Sequence, residues 1–102
     1  MAEFEKVAET AEVPDGECKV VKAGGRDVCL ASVGGKIHAI DNTCVHRGGP
    51  LGEGMLEGNV VTCPWHGWQY DVTNGKCTSV PDRQVSAYEV KIEGTAVHVK
   101  AG

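Results

Sequence analysis

Cys44-Val45-His46 and Cys63-Pro64-Trp65-His66 each place one thiol and one imidazole within a few residues, and residues 47–62 separate the two stretches. Thiolate sulfur and imidazole nitrogen are metal ligands, so two such pairs read first as a metal site. Turn formers surround both. Arg47-Gly48-Gly49-Pro50 follows the first pair, Pro64 lies inside the second and Gly67 comes directly after it. Four ligands of these kinds suit a tetrahedral zinc ion. They equally suit a two-iron cluster with both thiolates on one iron and both imidazoles on the other. Zinc loops usually place two or more residues between paired ligands. Only Val45 stands between Cys44 and His46, and that spacing favours the cluster.

The flanking residues sharpen the reading. Cys44-Val45-His46-Arg47-Gly48-Gly49, Cys63-Pro64-Trp65-His66-Gly67-Trp68-Gln69-Tyr70-Asp71 and Thr73-Asn74-Gly75 resemble the two boxes of Rieske iron–sulfur proteins. The chain as a whole is similar to the small soluble ferredoxins of that family, from Phe4-Glu5-Lys6-Val7-Ala8 to its closing hairpin. The resemblance implies one [2Fe-2S] cluster, with Cys44 and Cys63 on one iron and His46 and His66 on the other. It also implies surroundings made by Gly48, Trp65, Trp68, Tyr70 and Pro81. Respiratory relatives carry a disulfide between their cluster loops; Gly49 and Trp65 occupy those positions here, so that staple is absent. High-potential relatives have a serine where this chain has Trp68, while Tyr70 keeps the family's tyrosine.

The ligand set explains why such a site is useful. Replacing two thiolates by neutral imidazoles removes two negative charges, so the cluster accepts an electron more readily. Rieske centres accordingly span roughly −150 to +300 mV, against about −400 mV for plant-type ferredoxins. Donors aimed at the sulfurs raise the potential further. With Trp68 in place of a serine, the expected potential falls in the lower half of that range.

These loops need a frame. At 102 residues, residues 1–102 are expected to form one domain with a modest core. Fourteen glycines and four prolines imply many turns. No stretch approaches the about 18 apolar residues of a membrane span, and the charged N-terminal stretch lacks a signal peptide's apolar core. A soluble cytoplasmic protein is the expectation. Five cysteines leave Cys18, Cys29 and Cys77 outside the ligand set, read as reduced thiols. Cys18 and Cys29 lie in strand-like runs and read as small buried or half-buried hydrophobes.

The pattern along the chain is all β. Strands are expected at Phe4–Val7, Cys18–Lys22, Val28–Val33, Lys36–Asp41, Asn59–Cys63, Trp68–Val72, Lys76–Thr78, Ser86–Glu93 and Thr95–Lys100. Ala23–Asp27 and Gly34-Gly35 turn between them, and Leu56-Glu57-Gly58 is read as a further turn. Tyr88, Val90 and Ile92 mark one buried face, while His38 and His98 fall in the polar slots of alternating strands and are expected to be exposed. Short strands without a helical run mean a small antiparallel sandwich or barrel. The Rieske resemblance implies three stacked sheets with both cluster loops at one tip.

A formal net charge of −4 disfavours nucleic acid and suits a soluble carrier. The resemblance implies a one-electron carrier between a flavin-dependent reductase and a terminal oxygenase of the ring-hydroxylating type. A small subunit of an assimilatory nitrite reductase is the alternative, and a structural zinc module the remote one. Beyond the cluster ligands only His38 and His98 remain, in separate strands, so the chain is expected to turn over no substrate by itself. Glu53 and Glu57, between the boxes, are candidates for partner docking.

Overall fold

The computed structural model describes residues 4–43, 50–65, 67–78 and 83–100. Nine strands follow in chain order: β1 (Phe4–Glu9), β2 (Cys18–Ala23), β3 (Arg26–Val33), β4 (Lys36–Asp41), β5 (Met55–Glu57), β6 (Val60–Thr62), β7 (Gln69–Asp71), β8 (Ala87–Glu93) and β9 (Ala96–Lys100). Single 3-10 turns at Thr10–Glu12 and Leu51–Glu53 are the helical structure among the described residues.

The architecture grows from β3. Five consecutive residues, Val28 to Ser32, are buried, which an amphipathic surface strand would not allow. A run of that kind belongs to a strand covered on both faces. Val28 and Leu30 enter one core, with Val21, Ile37, Ala39, Val97 and Val99. Cys29 and Ala31 enter a second, with Ile40, Leu51, Val61, Tyr70 and Val72. Alternation along the strand thus serves two cores at once.

Every ladder is antiparallel. The order β1-β9-β8-β4-β3-β2 makes one sheet and β5-β6-β7 a second, smaller one. The junction between β8 and β4 has only two register pairs, Ala39 with Tyr88 and Ile40 with Ala87. The larger sheet therefore folds over at this seam, and the β2-β3-β4 ladder becomes the middle of three layers. The expected all-β, three-layer sandwich is what forms.

Tight turns set the middle layer. Gly24 and Gly25, then Gly34 and Gly35, have positive φ at both turn positions, the arrangement of a two-residue hairpin whose twist matches its strands. The loop expected over Ala23–Asp27 is shorter for this reason: Ala23 pairs with Arg26. Three other expectations need correction. Met55–Glu57 is a strand pairing with β6 rather than part of a turn. Lys76–Thr78 forms only isolated bridges, Lys76 with Gln84 and Cys77 with Tyr70. Ile92 remains 44% exposed, because β8 has left β4 by that point, whereas Tyr88 and Val90 pack against the first core.

Candidate metal centre

Cys63 directly follows β6 and belongs to the second core, with its side chain almost fully buried. Its N–H donates to the carbonyl of Trp68 at 2.7 Å, and its carbonyl accepts from the N–H of Gly67 at 3.1 Å. The chain therefore reverses within Cys63–Trp68. Gly67 supplies the left-handed backbone, φ +75, that the reversal requires. His66 sits within this reversal in sequence but lies outside the described residues, as do Cys44, His46, Gly48 and Pro81.

The other ligand-bearing stretch is defined by its stems. Thr43 bridges Pro50, and the N–H of Leu51 donates to the carbonyl of Asn42 at 2.7 Å. The residues flanking this stretch, Asn42-Thr43 and Pro50-Leu51, are thus held side by side. Leu51 is fully buried in the same core as Cys63. Past the 3-10 turn, Gly54 lies so close to Thr62 that a Cβ on it would stand 1.8 Å from the Thr62 carbonyl oxygen. The return stem of the first stretch thereby meets the residue preceding Cys63. Leu51 and Cys63, the described flanks of the two stretches, thus share the second core.

Tyr70 on β7 is fully buried in the same core. Trp68 is half-buried against the same core, while Trp65 is 56% exposed. Glu53 and Glu57 are exposed, in keeping with a solvated surface or a docking edge. Arg83 accepts the N–H of Cys77 through its carbonyl at 2.9 Å, which holds the chain after residue 82 against the small sheet.

Asp71 organises the turn after β7. Its Oδ1 accepts from the N–H of Thr73 at 2.9 Å and from Thr73 Oγ1 at 2.5 Å, and its Oδ2 accepts from Asn59 Nδ2 at 3.1 Å. Burial pushes this carboxyl upward, but the bonds from Thr73 and Asn59, with His38 adding attraction, outweigh it and hold it below the ordinary range. His38 is half-buried rather than exposed, a correction to its reading as a polar-face residue. Burial and then the nearby Lys36 lower its pKa, with Asp71 opposing them. His98 is likewise half-buried, and its Nδ1 is sealed from solvent. Strand alternation misled here because both faces of β4 are covered, and because His98 stands between its ladder partners Lys6 on β1 and Lys91 on β8.

Sequence reasoning passed over Asn42, Gly52 and Gly54, which fasten the first stretch. Their signal was faint: a lone Asn at a strand end, and two glycines spaced like ordinary loop residues.

A family model for the Rieske [2Fe-2S] domain matches residues 3–96. The chain belongs to the Rieske [2Fe-2S] domain family. It is 37% identical over 90 residues to the ferredoxin component of the naphthalene 1,2-dioxygenase/salicylate 5-hydroxylase systems of Ralstonia sp., covering 87% of this chain and 86% of the relative. Among solved structures, this Rieske chain matches the ferredoxin of carbazole 1,9a-dioxygenase from Nocardioides aromaticivorans IC177 with a TM-score of 0.91 at 27% identity. That match covers 97% of this chain and 98% of the other. It also matches a chain from a complex of reduced oxygenase and oxidized ferredoxin in carbazole 1,9a-dioxygenase, with a TM-score of 0.87 at 29% identity over 95% and 92% of the two chains.

The described part of the site fits the group this family carries. A Rieske cluster takes two thiolates on one iron and two imidazoles on the other. Cys63 supplies a sheltered sulfur at the Cys63–Trp68 reversal, and Gly54 packs against the neighbouring Thr62. This Rieske ferredoxin is an electron-transfer component that carries one [2Fe-2S] cluster.

Proposed function

We propose that this chain passes single electrons from a flavin-dependent reductase to a terminal oxygenase of the ring-hydroxylating type, with Cys44 and Cys63 holding one iron and His46 and His66 the other. When bound, the cluster supplies a one-electron couple. The protein's own residues provide the rest. Cys63 offers its sulfur from inside the core, and the Asn42–Leu51 closure with the Gly54–Thr62 contact keeps the two ligand stretches together.

One observation carries the reading. Trp65 is 56% exposed only two residues after a cysteine that is 2% exposed. The loop that buries its sulfur on one side thus shows a large aromatic side chain on the other, where a partner can touch it. Aromatic side chains of this kind are favoured anchors at protein interfaces. Similarity to dioxygenase ferredoxins over most of both chains supports the carrier role above that of a reductase subunit.

Substrate turnover belongs, in this proposal, to the partner. His38 on β4 and His98 on β9 have β8 between them in the sheet and do not converge. Residues 1–102 act as one domain. No helix among the described residues is long and apolar enough to cross a membrane. The proposed location is the cytoplasm, in keeping with the acidic balance and the three cysteines outside the ligand set.

The test is a reconstituted assay with NADH, a flavin reductase, this protein and a naphthalene-oxidising terminal oxygenase. Hydroxylated product that depends on this protein, together with a rhombic Rieske EPR signal lost in Cys63→Ser, is the expected result. Stable co-purification with a large flavin- or haem-containing chain, and no transfer to the oxygenase, would assign it to a nitrite-reductase-type complex instead.

A further inference from the structure

Cys18 on β2 and Cys29 on β3 come close across the ladder of one hairpin. Cys18 pairs with Ala31, and Cys29 pairs with Val20. The two cysteines are therefore diagonal neighbours on one face of the hairpin, with their thiols near enough to influence each other. Cys29 is fully buried, whereas Cys18 is half-buried. Cys18 also lines a cleft of about 290 Å³, together with Gly16, Glu17, Gly54, Met55 and Leu56. Met55 at that cleft is 70% exposed.

The pair is asymmetric. The hydrogen bond from Cys29 lowers the Cys18 thiol below its ordinary range, with burial acting against it. That same bond, then burial, pushes the Cys29 thiol well up. One sulfur is thus a shielded donor and the other an accessible acceptor. This is the division of labour that makes a thiolate available.

We propose that Cys18 is a reversible S-thiolation site that takes a small thiol from a low-molecular-weight disulfide, with Cys29 positioning and stabilising its sulfur. In the step, the Cys18 thiolate attacks one sulfur of the disulfide. A new S–S bond forms as the old one breaks, and the departing thiolate takes up the proton that Cys18 had released. The products are one mixed disulfide and one free thiol, and excess thiol reverses the exchange. Glu17 at the cleft and the chain's acidic balance favour a neutral or cationic thiol over an acidic one.

Cys29 does not resolve the adduct. Diagonal positions of an antiparallel ladder stand about 7–8 Å apart at Cα, beyond the roughly 7 Å that a disulfide tolerates without backbone movement. The hairpin carrying the pair lies in the middle layer, with cores on both sides, so that movement is resisted. The mixed disulfide therefore persists.

The test treats the cluster-loaded protein with cystamine and follows intact mass and peptide maps. The expected result is a first adduct on Cys18, absent in Cys18→Ser, at a rate whose pH midpoint lies below that of free cysteine. Cys29→Ala should slow the labelling about fivefold, the worth of one hydrogen bond, and Cys29→Ser should restore most of it. A first adduct on another cysteine, a midpoint at or above that of free cysteine, or an unchanged rate in a folded Cys29→Ala would each overturn the assignment. The cluster's visible spectrum reports folding, and the pH midpoint of the parent protein needs no variant at all.

Discussion

Asn42 Oδ1 accepts a hydrogen bond from the backbone N–H of Gly52 at 2.6 Å, across the base of the first ligand-bearing stretch. The carbonyl of the same residue receives the N–H of Leu51, and its own N–H donates to the carbonyl of Asp27 at 3.1 Å. One nearly buried residue, through its side chain and its backbone, thus ties the end of β4, the 3-10 turn and β3 together. Gly52 is required opposite it, since a Cβ there would stand 2.4 Å from Val20 Cγ2 and 2.9 Å from Asn42 Oδ1.

Asn42→Ala leaves the Gly52 N–H without its acceptor in a nearly closed site. The expected loss is about 1–3 kcal/mol of stability, read as a lower urea midpoint with unchanged slope. Asn42→Asp, which keeps an acceptor oxygen, should lose less. An alanine variant as stable as the parent would remove Asn42 from its fastening role.

Gly54→Ala should be more damaging than its chemistry suggests. The backbone at Gly54 is ordinary for any residue, with φ −84, so the cost is purely the collision with the Thr62 carbonyl. Overpacking of this kind costs roughly 1–3 kcal/mol. Because the displaced strand runs straight into Cys63, cluster content should fall with stability. Iron and visible absorption per protein would show it, and full occupancy at parental stability would contradict the contact.

Tyr70→Phe tests whether the buried hydroxyl tunes the cluster or only fills space. If it contributes one hydrogen bond of about 1 kcal/mol to the reduced form, the one-electron potential drops by roughly 40 mV. Protein-film voltammetry reads this directly. A potential unmoved by the change would leave Tyr70 as a packing residue.

Acid should weaken the fold in two limbs. His38 is held below its ordinary pKa, so in mildly acidic solution the unfolded chain binds the proton that the folded chain refuses. Stability therefore declines as pH falls below about 6.5. Asp71 is also lowered, so its contribution is present above its unfolded pKa, near about 4, and is lost as pH drops through the folded value. Thermal midpoints of the parent and Asp71→Asn, followed from neutral to acid pH, should separate the limbs. The substitution should flatten the lower one, and an identical profile would argue against it.

Much of the fold is written locally, which is why the hairpins around Gly24-Gly25 and Gly34-Gly35 and the strand Lys36–Asp41 can be read without a structure. The family is legible for the same reason: the residue types and spacing of the two Cys/His boxes lie within a few positions of one another. What escapes is whatever depends on distance along the chain. Met55–Glu57 is too short to show a period, and becomes a strand only because β6 lies beside it. The Cys18–Cys29 contact needs the hairpin register, and no residue adjacent to either thiol announces it. Asn42 and Gly54 look like loop punctuation until their partners at Gly52 and Thr62 are brought alongside.

The two-pair seam between β4 and β8 divides the molecule's labour in time. The β1-β9-β8 layer is held internally by five register pairs between β8 and β9 and five between β1 and β9, but its ladder to the rest is only two pairs long. Such a layer can open as its own cooperative unit. Amide exchange should then find it clearing in advance of β3, which is covered on both faces. A carrier that must meet successive partners would thereby confine its looser packing to the layer that lies across β2-β3-β4 from Cys63.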